Sequence, residues 1–251
     1  IQKIIINSGV TSIGNFAFAF CSNVTSVSVP DSVTRIGQGC FAQCANLTSI
    51  ALPDDVTSIP MGSFTGCSSL VSISYSSKLE SIGLMAFEDC VSLRSIDLPY
   101  GLTSIGYAAF MDCHSLTSIT LPESLSGLGG FMGEVFANCT SLTSVTFPRS
   151  FTSTGFGTFG GCTSLVDVTI PDTITTIGAS TFSDCTSLTN ITLPSSITAI
   201  GEDAFSGCTS LTSFVIPNGV PSIGEDTFRN CYALTAITIP ASVTTIGYAA
   251  F

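Results

Sequence analysis

The sequence predicts a mainly-β repeat solenoid, a single domain over residues 1–251. Three observations predict it. One short unit recurs along the whole chain, each unit holds a strand-like alternation of apolar and polar residues, and charged residues are too few to cover an ordinary globular surface.

The period is read from the cysteines. Cys185 reappears 23 residues on at Cys208 and again at Cys231, and 23 residues back at Cys162 and then Cys139. Cys21, Cys44, Cys67, Cys90 and Cys113 form a second run with the same step. From Cys113 to Cys139 the step is 26, so three residues, Gly130, Phe131 and Met132, are added once. Ten of the 11 cysteines obey the rule, and Cys40 stands in a slot usually held by Ala. A phenylalanine precedes each cysteine slot by three residues, as at Phe110, Phe182 and Phe205. The full unit reads C-x-x-L-x-x-I-x-L-P-x-x-V-x-x-I-G-x-x-A-F-x-x, about eleven coils in all.

Each part of the unit predicts an element. In L-T-N-I-T-L the alternation sends Ile191 and Leu193 inward, and Asn190 and Thr192 outward. Stacked copies form a parallel ladder with neighbours ~4.8 Å apart. The following proline cannot donate to a ladder and ends the strand. S-I-T-A-I-G predicts a second, shorter ladder, its glycine read as a turn residue with positive φ. The segment 202–207 has room for one helical or 3-10 turn with Ala204 and Phe205 facing in. Stacking buries a continuous core, and stability becomes a sum over neighbouring coils.

A fixed period in this range with L-x-x-I-x-L marks a right-handed leucine-rich-repeat solenoid, its main ladder on the concave side. The version with this proline, the I-G and A-F pairs and the cysteine closely resembles the BspA-type leucine-rich repeat family. Those are surface and secreted proteins of bacteria and some protists. The resemblance implies a non-enzymatic adhesion or binding module at the cell surface or outside the cell. Its implied partners are matrix, host or neighbouring-cell proteins, or glycans.

Composition narrows the partners. Charged residues are 9% of the chain against ~25% in an average soluble domain, and the formal net charge is −11. Six basic residues cannot line a phosphate backbone, which excludes nucleic acid. They argue equally against docking on anionic lipid. No apolar run is long enough to cross a membrane within this segment. IQKIIINSG lacks the features of a signal peptide, and the abrupt start and end suggest a segment of a longer chain.

The cysteines could be nucleophiles, metal ligands, disulfide halves or packing. Cys44, Cys67, Cys90, Cys113, Cys139, Cys162, Cys185 and Cys208 share the inner stripe with Phe110, Phe182 and Phe205, which favours a buried column of thiols. Disulfides between adjacent coils remain the alternative. No C-x-x-C pair exists and His114 is the one histidine, so neither a metal nor a cofactor is expected. His114 adjoins Cys113, but sequence neighbours point apart, a poor nucleophile–base geometry.

The outward strand positions form two columns of small polar residues. The candidate binding face is Ser118, Thr120, Ser144, Thr146, Asp167, Thr169, Asn190, Thr192 and Ser213. Such residues suit any solvated strand face, or they meet a partner. Phe131 and Met132 in the insertion are candidate loop contacts. Glu202, Asp203, Glu225 and Asp226 read as a solvated acidic edge, with a weak calcium site as the alternative. Self-association into an extracellular filament or coat is the competing role, because regular polar faces and uncapped coils permit stacking.

Overall fold

The computed structural model describes residues 1–130 and 132–251. It is a mainly-β parallel solenoid of about eleven turns. The first ladder pairs Lys3–Ile5, Ser26–Ser28, Ser49–Ala51 and Ser72–Ser74 in parallel register. It resumes at Ser118–Thr120, Ser144–Thr146 and Asp167–Thr169. The second ladder is built from two-residue strands such as Ser58–Ile59, Ser81–Ile82 and Ser104–Ile105, and later Thr176–Ile177 and Ala199–Ile200.

The spacings of the unit are the spacings of its turns. In C-x-x-L the Leu188 N–H donates to the Cys185 carbonyl at 3.0 Å. In P-x-x-V/I the Ile197 N–H donates to the Pro194 carbonyl at 3.2 Å. Both bends are local, so every coil turns at the same places.

The expected helical turn is not helical. Two residues of each such segment lie in the left-handed region, for example Ser180 and Asp184 at φ 54° and 56°. A right-handed helix cannot continue through them. The segment instead forms a third stacked ladder. Ser180, Phe182 and Asp184 donate their N–H groups to Glu202, Ala204 and Ser206 of the next coil. The residues between them, Thr181, Ser183 and Cys185, donate back to Gly178, Ser180 and Phe182. A signal for this was present in the sequence. In the slot just before the cysteine, eight of ten residues are Gly, Asn or Asp, the types that tolerate this conformation.

The glycine of the I-G pair also has a different reason from the one expected. Gly83, Gly106 and Gly201 do not have positive φ. A Cβ there would run into the backbone nitrogen of Met61, Leu84 and Ala179 on the preceding coil. Close approach of two coils, not backbone handedness, demands the glycine.

The core is a set of columns. The phenylalanine rings stack from Phe18 to Phe251, with centroids 5.2–6.2 Å apart and planes within 19°. This offset stacking adds to the area each ring buries. Phe110, Phe182 and Phe205 are fully buried.

Candidate binding face

The cysteine column lies inside. Cys44, Cys67, Cys90, Cys113, Cys139, Cys162, Cys185 and Cys208 have no exposed surface, and all eleven cysteines are free thiols. Each of the eight thiols donates to a backbone carbonyl one coil back. Cys185 Sγ donates to the Phe159 carbonyl at 3.3 Å, and Cys208 Sγ to the Phe182 carbonyl at 3.2 Å. That carbonyl already accepts the Cys185 N–H, so the thiol satisfies its second lone pair. A weak donor on a small apolar side chain is what the slot requires, and cysteine supplies both. Burial pushes the thiol pKa up along the column, to about 12 at Cys162. At Cys113 and Cys185 the same burial, with neighbouring thiols added, also raises it well above the ordinary thiol value. Such thiols are poor nucleophiles. His114 is exposed, and its Nδ1 lies 2.9 Å from the Asn138 carbonyl, directed away from Cys113.

The strand face lies outside. Ser118, Thr120, Thr146, Asp167, Thr169, Asn190, Thr192 and Ser213 are exposed, and Ser144 is half-buried. The ladder beneath them is not continuous. Asn190, Thr192 and Ser213 lie outside any strand, and in their coils only Val215 forms a bridge, to Thr238. The inward alternation persists there, since Ile191 and Phe214 are buried. The added bulk of Phe214, which packs edge-on to Phe205 and Phe228 at 4.9 and 4.7 Å, accompanies the loss of strand pairing in the last coils.

The hydroxyls of the chain fall into two kinds. Thr48, Thr117, Thr143 and Thr212, one residue before the outward strand columns, each reach back one coil. Thr212 Oγ1 donates to the Thr189 carbonyl at 3.1 Å, and the others do the same at 3.3–3.4 Å. The threonines after the cysteine slot, Thr163, Thr186 and Thr209, repeat the pattern. These side chains belong to the stack. Thr120, Thr146, Thr169 and Thr192 make no side-chain hydrogen bond among the described residues. Their hydroxyls stand free across neighbouring coils.

A shallow cavity of about 420 Å³ adjoins this face. Thr120 and Thr146 form one side of it, and Tyr100, Pro122 and Pro148 lie around it. Tyr100 is 81% exposed. Sequence reasoning passed over it, although its signal was available: in the slot after the proline, other coils carry small or polar residues such as Asp31, Asp54 and Asp172.

The insertion opens a second recess. By hydrogen-bond register Gly133 takes the position of Tyr107 in the preceding coil, since its carbonyl accepts from Ala108 as the Tyr107 carbonyl accepts from Met85. Residues 130–132 are therefore the added ones. Met132 is exposed, and Phe131 lies outside the described residues. The second ladder is interrupted there, leaving a cavity of about 410 Å³ between Ser104 and Ser153. Of the acidic edge, Asp203 and Asp226 occupy left-handed positions, which gives part of that pattern a backbone reason. Among the described residues, no group of three or more His, Cys, Asp or Glu is arranged to hold a metal, and no helix is long and apolar enough to cross a membrane.

Comparison with known proteins agrees with this architecture. The family profile described as BspA type leucine rich repeat region matches in six copies, over residues 1–117, 80–132 and 130–251. A leucine-rich repeat protein from Bacteroides ovatus is 29% identical, with 98% of this chain and 83% of that one covered and a TM-score of 0.51. A leucine rich cell surface protein from Faecalibacterium prausnitzii is 27% identical over 99% of this chain and 79% of its own, with a TM-score of 0.56. The pneumococcal vaccine antigen PcpA shares the fold at 18% identity, with a TM-score of 0.65 over 98% of this chain and 74% of its own. No curated protein is significantly similar in sequence.

Proposed function

The chain belongs to the BspA-type leucine-rich repeat family, and from that premise we propose that it is a non-enzymatic binding module acting at the cell surface or outside the cell. One observation carries the reading. The threonines just before the strand columns and just after the cysteine slot are committed to bonds between coils, but Thr120, Thr146, Thr169 and Thr192 on the outward strand column leave theirs free over consecutive coils. A row of free donor–acceptor groups on a stiff backbone is pre-organised for a partner, because little side-chain freedom is lost on contact. The partner class is protein or glycan. The Faecalibacterium relative, described as a cell surface protein, supports the location.

The buried cysteine column, its thiol pKa values raised by burial, speaks against a thiol enzyme. The test is a binding screen of the protein against immobilised matrix proteins, whole cells and glycans. Saturable binding to at least one class is expected. Binding to none of them would overturn the proposal, and discrete filaments in negative stain would replace it with a structural role.

A further inference from the structure

The residue after the I-G pair forms a column along the turn side of the solenoid. Its members are polar or small in the coils flanking the centre, Asn15 and Gln38 before it and Ala179, Glu202 and Glu225 after it, and the last coil carries Tyr248. In the central coils it changes character, to Met61, Leu84, Tyr107 and Phe156, with Met132 beside it in the insertion. Met61 and Leu84 are each 41% exposed, Phe156 44% and Met132 61%. These side chains are part-exposed and the flanking coils manage with small or polar residues in the same slot, so burial does not explain the change. The outward positions of both strand ladders stay largely polar over the same coils. The insertion prolongs the stripe. Gly133 fits in the column because a Cβ there would strike the Phe156 carbonyl, and Tyr107 leans across to donate to Glu134 Oε2 at 2.9 Å.

The turn segments that carry the stripe are acidic. Glu88, Asp89, Asp112 and Glu134 lie on the same turn segments, and the first three are close enough that their charges raise the Glu88 pKa, after burial. The turn segments carry no basic residue from Gly14 until Arg229. From Met61 to Phe156 the stripe crosses four coil steps, ~19 Å at ~4.8 Å per step, the length of a ~13-residue helix.

We propose that this stripe is a second docking surface, distinct from the strand face, for an amphipathic protein helix with apolar residues on one side and lysine or arginine along its edge. Methionine and aromatic side chains at partial exposure supply an adaptable apolar bed, and the acidic turn segments supply complementary charge.

A fluorescent amphipathic peptide of leucine and lysine, about 15 residues long, is the probe. Anisotropy is read for the wild type, for Leu84→Ser/Phe156→Ser, and for Val166→Ser/Val215→Ser, which alters exposed apolar residues of the strand face instead. The stripe variant should bind about tenfold more weakly or worse, and the strand-face variant within about twofold of wild type, with melting temperatures unchanged. Replacing the peptide's lysines by glutamate should abolish binding, and Asp89→Asn/Asp112→Asn should reduce its salt dependence. If the stripe variant unfolds, Met61→Ser/Met132→Ser carries the same expectation. Equal binding by wild type and the folded stripe variant, or equal binding of the glutamate peptide, would overturn the proposal. Neither result bears on binding by the strand face.

Discussion

Two regions of the core use the same repeat differently. Between Phe64 and Phe110 the unit is regular: rings stack at 5.3 and 5.2 Å with planes within 8° and 4°, and Ile82 and Ile105 fill the second ladder. Between Phe147 and Phe182 three slots depart at once. Phe147 and Phe151 replace smaller aliphatics, and Thr154 replaces an isoleucine. The ring gap from Phe159 to Phe182 widens to 6.2 Å, and Phe147 packs against Phe159 at 5.6 Å and 88°. The substituted threonine is satisfied: Thr154 Oγ1 lies 2.9 Å from Thr181 Oγ1 and accepts the Gly178 N–H at 2.9 Å. The repeat thus tolerates a change of chemistry when volume and hydrogen bonds are both compensated nearby.

The largest expected effect is common to both regions and collective. The folded state raises the thiol pKa from about 9 to about 11 at Cys44 and about 12 at Cys40 and Cys162, mainly by burial. The folded state therefore holds protons that the unfolded chain releases. The stabilisation is complete below about pH 9 and is lost progressively from there as pH rises to the folded-state values of about 11 and about 12, at ~1.4 kcal/mol per pH unit for each such thiol. Denaturant melts between pH 8 and 11 check this, and a flat profile would mean the thiols are not buried.

Single truncations then separate the regions. Phe87→Ala should cost ~3–5 kcal/mol, because the ring is fully buried between two close neighbours. Phe182→Ala should fall at the lower end of that range, since its stack towards Phe159 is already looser. Equal losses by chemical denaturation would remove the distinction. A smaller effect is expected from Thr154→Val, which leaves the Gly178 N–H without its acceptor at a cost of ~1–3 kcal/mol. A stabilised Thr154→Val would show that the polar network is a defect rather than a compensation. The smallest effect belongs to Thr169→Ala on the strand face, within ~0.5 kcal/mol by the same melts.

Most of the fold was legible because a solenoid writes each structural requirement many times. The cysteine, phenylalanine and leucine columns could be assigned from phase alone. What escaped lay in the variable slots. The turn segments looked like room for a helix because Ala204 and Phe205 are helix-compatible, and the left-handed residues flanking them were treated as unspecified. The gaps in the first ladder at residues 95–97 and 190–192 carry no sequence mark, since Ile96 and Ile191 keep the alternation. On the candidate face the exposed columns were readable, whereas the distinction between free and bonded threonines depends on carbonyls one coil away. Tyr100 and the Met61–Phe156 stripe were visible as residues but not as surfaces, because stacking, not sequence proximity, brings them together.

The central claim is that the inner columns hold the stack while the unbonded outer hydroxyls meet the partner. It is tested most directly by one paired measurement on Thr120→Arg/Thr146→Arg/Thr169→Arg, taking the melting temperature and the affinity for whichever partner the screen identifies. The account predicts a melting temperature close to that of the wild type and an affinity reduced by about tenfold or more. Undiminished affinity in a folded variant would contradict it.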